Sequence, residues 1–147
     1  MSPHVLPFYG ISETSDKSIF VSPLMENGNV RVYLQNLKDS GASEEKIFDI
    51  ARGLKYLHDQ KILHLDVKPA NVLVDKWCHA MVADFGTSIV HLLDGKDHGL
   101  GSKVYMSPER LRSEPPTPAA DVYAFGIPIS LFEVDFYYFR FECTKMK

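Results

Sequence analysis

Between positions 64 and 86 the chain gathers groups able to hold a proton, a hydroxyl or a cation. They are His64-Leu65-Asp66-Val67-Lys68-Pro69-Ala70-Asn71 and, thirteen residues after Asn71, Asp84-Phe85-Gly86. A carboxylate, an ammonium, a carboxamide and a second carboxylate are the materials of acid–base and hard-cation chemistry. Taken singly they are weak: an Asp and an Asn in solvated turns beside a buried Phe would look the same. Elsewhere the chemistry thins. His91 and His98 stand seven apart with no cysteine or further histidine nearby, a poor metal pattern. The hydroxyls of Thr87, Ser88, Ser102 and Tyr105 are most simply solvated, and Lys17, Asp94 and Asp97 most simply surface charges. Cys78 and Cys143 make no disulfide framework and fit a reducing compartment.

The elements that must position these groups belong to one domain. The chain has 147 residues, 45% hydrophobic, enough for a core and too many for intrinsic disorder. Sixteen Lys and Arg against nineteen Asp and Glu give a net charge of −3, which argues against a nucleic-acid partner and against adsorption to anionic membrane. The longest apolar stretch, Ile127 to Phe139, is broken by Glu133 and Asp135 and falls short of a membrane span. No basic-then-apolar leader opens the chain, so the expected location is cytoplasmic. Val5 to Ile11 and Ile19 to Val21 read as strands joined by a polar turn, and Val30 to Leu37 as a short helix after Asn27-Gly28. The clearest helix runs from Ser43 to about Gln60, capped by Ser43, with Ile47, Ile50, Ala51, Leu54 and Leu57 on one face. Gly53 inside it costs about 1 kcal/mol against alanine, which points to close packing there. Ile62-Leu63 and Val72-Leu73-Val74 read as short strands, Gly86 to Ser107 as a long loop, and Asp121 to Phe132 as a helix interrupted by Pro128.

The loop at 64–71 and the Asp-Phe-Gly at 84–86 together resemble the catalytic and metal-binding loops of the eukaryotic protein kinases, Ser/Thr type with a tyrosine-kinase-like cast. The five matching loop positions (His64, Asp66, Lys68, Pro69, Asn71) have chance odds on the order of 10⁻⁵ to 10⁻⁴ in such a chain. The resemblance implies an α+β, kinase-like fold and a protein Ser/Thr kinase moving the γ-phosphate of Mg-ATP to a protein hydroxyl. Asp66 would orient the attacking hydroxyl and Lys68 would set a cation beside the γ-phosphate. Asn71 and Asp84 would supply oxygen ligands to Mg²⁺. His64, Phe85 and Gly86 would support the metal loop. On the same alignment residues 4–22 are the end of the small lobe, 23–28 the hinge, 29–127 part of the large lobe and 128–147 an atypical tail. Pro23 and Met25 would meet the adenine edge with their backbone, Ser22 would be the gatekeeper, and Leu73 the floor beneath the base. Ser102 would bond Asp66 and Lys68, Glu109 would form a buried ion pair, and Asp121 would bind the catalytic-loop backbone.

Three departures from that family shape the expectation. The resemblance starts near His4, with no Gly-rich loop, no Val-Ala-x-Lys strand and no helix bearing the partner glutamate. Leu65 stands where an arginine usually precedes the catalytic Asp, which puts control by a phosphorylated activation segment in doubt. After Ile127, Pro128 and Phe136-Tyr137-Tyr138-Phe139-Arg140-Phe141 depart from the pattern. The leading reading is therefore a kinase domain incomplete in this chain and inactive alone. The alternatives are a non-catalytic kinase-like module that binds a partner, such as one supplying the missing lobe, and an unstable fragment.

Overall fold

The computed structural model describes residues 2–36, 42–90 and 99–127. Where an unbroken run of apolar residues predicted one strand over 5–11, the chain divides at Pro7, which has no N–H for a ladder. Before it, residues 4–6 lie parallel to a later strand: Leu6 N donates to the Val82 carbonyl at 2.8 Å and Val82 N to the His4 carbonyl at 2.9 Å. After it, β1 (Gly10–Glu13) pairs antiparallel with β2 (Ser18–Val21), in register from Gly10 opposite Val21 to Glu13 opposite Ser18. Thr14 closes the turn, its N donating to the Lys17 carbonyl and its Oγ1 accepting from Lys17 N. Every residue of β2 is exposed.

The rest is helical with small sheets, the α+β arrangement expected. Asn29 caps α1 (Val30–Asn36), its Oδ1 accepting Val32 N at 3.1 Å. The long helix α2 (Ala42–Asp59) follows. The cap assigned to Ser43 falls on a side chain outside the described ones. β3 (Ile62–Leu63) pairs with β6 (Ile89–Val90), and β4 (Val72–Val74) with β5 (Ala80–Val82), both antiparallel. The stretch predicted as one loop over 86–107 therefore contains β6 and a 3₁₀ turn at Lys103–Tyr105, while its part at 91–98, with His91, Asp94, Asp97 and His98, lies outside the described residues. A short α3 (Pro108–Leu111) precedes α4, helical over 118–127. That last helix starts three residues before Asp121, because Thr117 Oγ1 accepts Ala119 N and Pro118 sits at the first helical position, where a missing N–H costs nothing. Pro128 and the expected continuation to Phe132 lie outside the described residues.

The core forms where α2 crosses β4 and β5. Ile50, Leu54 and Leu57 from the helix meet Val72, Val74, Ala80 and Val82, with Val30 from α1 and Ala124 from α4. Each such aliphatic side chain contributes about 1.5–3 kcal/mol by burial. The apolar face read from the sequence is shifted: Ala51 is exposed, Ile47 is half-buried, and Lys46 and Asp49 are buried. Ala51 lies roughly 130° around the helix from the centre of the buried face, at 100° per residue. Lys46 and Asp49 occupy the inner face because the β4–β5 turn gives them partners. Lys46 Nζ donates to the Cys78 carbonyl, and Asp49 Oδ2 accepts Ala80 N at 3.0 Å. Among the described residues no helix is long and apolar enough to cross a membrane.

Gly53 is where α2 touches the sheet. A Cβ there would stand 2.4 Å from the His4 carbonyl oxygen and 2.9 Å from Val82 Cγ2. Gly53→Ala should therefore destabilise the chain by about 1–3 kcal/mol in urea unfolding, although alanine is the better helix former by about 1 kcal/mol. A stabilised alanine variant would show that this packing is absent.

Candidate active site

The loop that follows β3 is held from below by one carboxylate. Asp121, wholly buried on α4, accepts His64 N at 2.9 Å on Oδ2 and Leu65 N at 2.8 Å on Oδ1. His58, in the last turn of α2, places Nε2 2.9 Å from the same Oδ2. Two successive amides reaching one carboxylate turn the backbone sharply, and Leu65 adopts φ +65°, a conformation that costs a non-glycine residue roughly 1–2 kcal/mol. The Leu65 side chain is buried against Leu63, Ala120 and Ile89.

His64 is buried and works through its ring. Asp66 N donates to Nδ1 at 3.2 Å, so Nδ1 is the acceptor, and Nε2–H donates to the Ala83 carbonyl at 2.8 Å. That neutral tautomer ties the loop at 64–66 to the strand exit just before Asp84. Phe85 packs on the imidazole with ring centroids 5.4 Å apart and a 53° tilt. Thr87 Oγ1 and Ser88 Oγ both donate to the His64 carbonyl, at 3.1 and 3.2 Å. They are not the solvated hydroxyls expected: they close the turn after Asp84 back onto the catalytic loop.

Asp66 is the centre of a dense set of donors. Its Oδ2 accepts Lys68 Nζ at 2.6 Å and Asn71 Nδ2 at 3.0 Å, while Oδ1 accepts Ser102 N at 2.8 Å. Lys68 Nζ also donates to Ser102 Oγ at 2.8 Å. Burial would push the Asp66 carboxyl up, but the hydrogen bonds from Lys68 and Ser102 outweigh it and hold the group below the ordinary aspartate value. It is therefore a carboxylate at neutral pH, already aligned to accept one more hydrogen bond. Gly101 makes the approach of Ser102 feasible: at φ +114°, a Cβ on it would lie 2.9 Å from the Leu65 carbonyl oxygen.

The oxygen donors Asn71 and Asp84 are less committed. Asn71 commits its amide nitrogen to the Asp66 carbonyl and carboxylate, which leaves its carbonyl oxygen without a hydrogen bond among the described residues. The Asn71 backbone carbonyl accepts Ala83 N at 2.8 Å, so Asp84 follows directly on the residue paired with Asn71. Asp84 is exposed at φ +64°, with one long contact, from Gly86 N at 3.4 Å. An amide oxygen and a free carboxylate on adjoining backbones suit a small hard cation that draws its remaining ligands from phosphate and water. Among the described residues no three His, Cys, Asp or Glu side chains cluster as a self-contained metal site.

The remaining expected residues lie at the rim. The segment at 23–28 docks on β4: Asn27 N donates to the Val74 carbonyl and Val74 N to the Gly28 carbonyl. Met25 spends its carbonyl on Gly28 N at 3.0 Å, its N–H has no hydrogen bond among the described residues, and Pro23 offers only a carbonyl. Leu73 is half-buried between the buried Val72 and Val74, so strand alternation turns it away from the core. Glu109 is half-buried, and among the described residues its carboxylate has no ion-pair partner. Sequence reasoning missed His58, Thr87, Ser88 and Arg110; each binds a backbone group or a distant side chain, which leaves no local spacing signal.

Residues 1–142 match the family model of the protein kinase domain, beyond the Ile127 at which the motif resemblance ended. The serine/threonine/tyrosine-protein kinase HT1 of Arabidopsis thaliana is 33% identical over 130 residues, 85% of this chain and 33% of that protein. The dual specificity protein kinase shkB of Dictyostelium discoideum is 38% identical over 135 residues, 86% of this chain and 21% of that protein. Mitogen-activated protein kinase kinase 9 of Arabidopsis thaliana is 38% identical over 135 residues, 86% of this chain and 42% of that protein. The chain thus spans between a fifth and about two fifths of these curated relatives.

Two outcomes test the geometry. Asp121→Asn, which offers one acceptor oxygen where two backbone donors need both, should cost on the order of 2–3 kcal/mol in urea unfolding. The folded Asp66 titrates below its unfolded value, so its contribution is whole above the ordinary 3.8 and is lost as pH falls through the lowered folded value. The stability difference between the native chain and Asp66→Asn, read from urea midpoints at descending pH, should hold from neutrality to about pH 4 and shrink below it.

Proposed function

The chain belongs to the protein kinase domain family, and from that premise we propose that its loops form the catalytic and metal-binding half of a phosphoryl-transfer site, acting on Mg-ATP and a serine or threonine hydroxyl of a protein. The observation that carries this reading is the separation of labour around Asp66. One carboxylate is buried, ionised and aligned by Lys68 and Ser102, while the Asn71 side-chain oxygen has no hydrogen bond among the described residues and Asp84 is exposed. Phosphoryl transfer needs positioning and charge neutralisation more than covalent help. Asp66 accepts the hydrogen bond of the incoming hydroxyl and fixes its direction. Lys68, held between Asp66 and Ser102, presents a cation where the transferring group gathers negative charge. Mg²⁺, held by Asn71 and Asp84, would neutralise charge on the phosphates. The Met25 N–H and Pro23 carbonyl would take the adenine edge, over Leu73. Lys68 supports Ser/Thr as the acceptor class; the relatives' names span Ser/Thr/Tyr and dual-specificity kinases. A cytoplasmic setting is the reading consistent with Cys78 as a free thiol and with a cytoplasmic kinase among the relatives.

These 147 residues carry no Gly-rich loop and no Val-Ala-x-Lys strand, so the phosphates have no cover of their own. Loss of one preorganised charge in such a site costs about 10²–10³ in rate. A second reading, a kinase-like module completed by a partner, is favoured by the β1–β2 hairpin. Phe8, Tyr9, Ile11, Ile19, Phe20 and Val21 are all exposed there, and a lone two-stranded ribbon is marginal in water.

The test uses the 147-residue chain with ADP and Mn²⁺ as a paramagnetic probe. Broadening should concentrate at the Asn71 side-chain NH₂ and the Asp84 amide and vanish in Asp84→Ala; broadening spread evenly over surface carboxylates would overturn the metal assignment. With Mg²⁺ and labelled ATP the chain alone should transfer no phosphate above background. Transfer abolished by Asp84→Ala would overturn that inactivity while upholding the site.

A further inference from the structure

Two carbonyls at the edge of the site point at one buried cation. Arg110, on α3, is 6% exposed; its Nη1 donates to the Leu65 carbonyl at 2.5 Å and its Nη2 to the Leu100 carbonyl at 2.8 Å. Leu65 immediately precedes Asp66. Leu100 immediately precedes Gly101 and Ser102, whose amide donates to Asp66. The guanidinium therefore spans the two backbone segments whose contact is the Asp66–Ser102 hydrogen bond, and Gly101 lies between them where no Cβ would fit.

We propose that Arg110 is a positioning residue that clamps the 100–102 segment onto the catalytic loop and so keeps the Ser102 amide on Asp66. A guanidinium suits the task. It is planar, permanently charged, and offers two donors in a fixed fork, so it reaches both carbonyls at once. An ammonium presents no such rigid fork. The Leu65 side chain takes no part, being buried among apolar neighbours, and contributes only its carbonyl. Both of these bonds reach main-chain acceptors, the Leu65 and Leu100 carbonyls. The clamp stands on this geometry; its value for catalysis rests on the phosphoryl-transfer reading above.

Amide hydrogen exchange on the full 147-residue chain tests it, since the readout needs no nucleotide and no activity. Arg110→Gln should speed exchange of the Ser102 amide by about tenfold or more and leave the amides of Leu54 and Val74 unchanged. Arg110→Lys should restore part of the protection. Undiminished protection of Ser102 in Arg110→Gln, or equal losses at Ser102, Leu54 and Val74, would overturn the clamp. Should the Gln variant not fold, the Lys variant decides alone: intermediate protection supports the clamp and full protection overturns it. A failed clamp would leave the Mn²⁺ broadening at Asn71 and Asp84 in place, and a failed metal assignment would leave the Ser102 exchange result intact.

Discussion

Everything chemical in this chain hangs from the buried carboxylate of Asp121. It accepts two consecutive amides of the catalytic loop and faces the His58 ring, joining α2, α4 and the exit of β3 at one point. Without those acceptors the His64 and Leu65 amides would be buried donors with no partner, each costing about 1–3 kcal/mol. They also oblige Leu65 to hold a left-handed backbone that its side chain disfavours. That turn aims Asp66 back across the loop at Lys68, Asn71 and Ser102. The strain at one residue is thus the means by which the next is directed.

From that fixed point the site divides into an interior half and an exterior half. The interior half is densely bonded: His64 uses both ring nitrogens, Asn71 its amide group, and Asp66 accepts three hydrogen bonds on its two oxygens, with capacity for one more. The exterior half is left open: the Asn71 side-chain oxygen has no hydrogen bond among the described residues and Asp84 is exposed. The division follows from cost. A buried carboxylate is tolerated only when it is paired and hydrogen-bonded, whereas a cation ligand must stay unfilled until the cation arrives. The Asn71 side chain serves both halves, one end bonded to Asp66 and the other with an oxygen uncommitted among the described residues, so its orientation is set before any ligand binds.

How much of this could be read from the sequence depended on the range of each interaction. The loop at 64–71 and the Asp-Phe-Gly at 84–86 were legible as motifs because their groups lie within eight residues and three residues of chain. The strands at 62–63 and 72–74 and the body of α2 announced themselves by period. Partners that are backbone carbonyls were not legible, since every residue carries one. Hence Thr87 and Ser88 passed for solvated hydroxyls and Arg110 went unnoticed beside Glu109. Asp49 and Lys46 were hidden for the same reason: nothing in α2 itself says that a turn some thirty residues later will meet them. The first strand was misjudged because hydrophobicity continued across Pro7 while the hydrogen-bonding partner changed.

The two ends of the chain carry different kinds of stability. The large-lobe portion closes a core around Ile50, Leu54, Leu57, Val74 and Val82. Among the described residues the hairpin has no such layer beneath it; Phe8 and Phe20 touch each other at 6.2 Å between ring centroids and otherwise stand exposed. The sheet link from residues 4–6 to β5 and the hinge link to β4 anchor the hairpin at its base, so it is tethered to the folded body without being covered by it. A surface of that composition lowers its free energy whenever other strands or an apolar face lie against it. The hinge carries the same consequence to the site, because Pro23 and Met25 leave the open hairpin and enter the docked turn at Gly28. A surface laid against the hairpin would therefore also steady the two backbone groups proposed for the adenine edge, while the loop at 64–66 is pinned separately by Asp121.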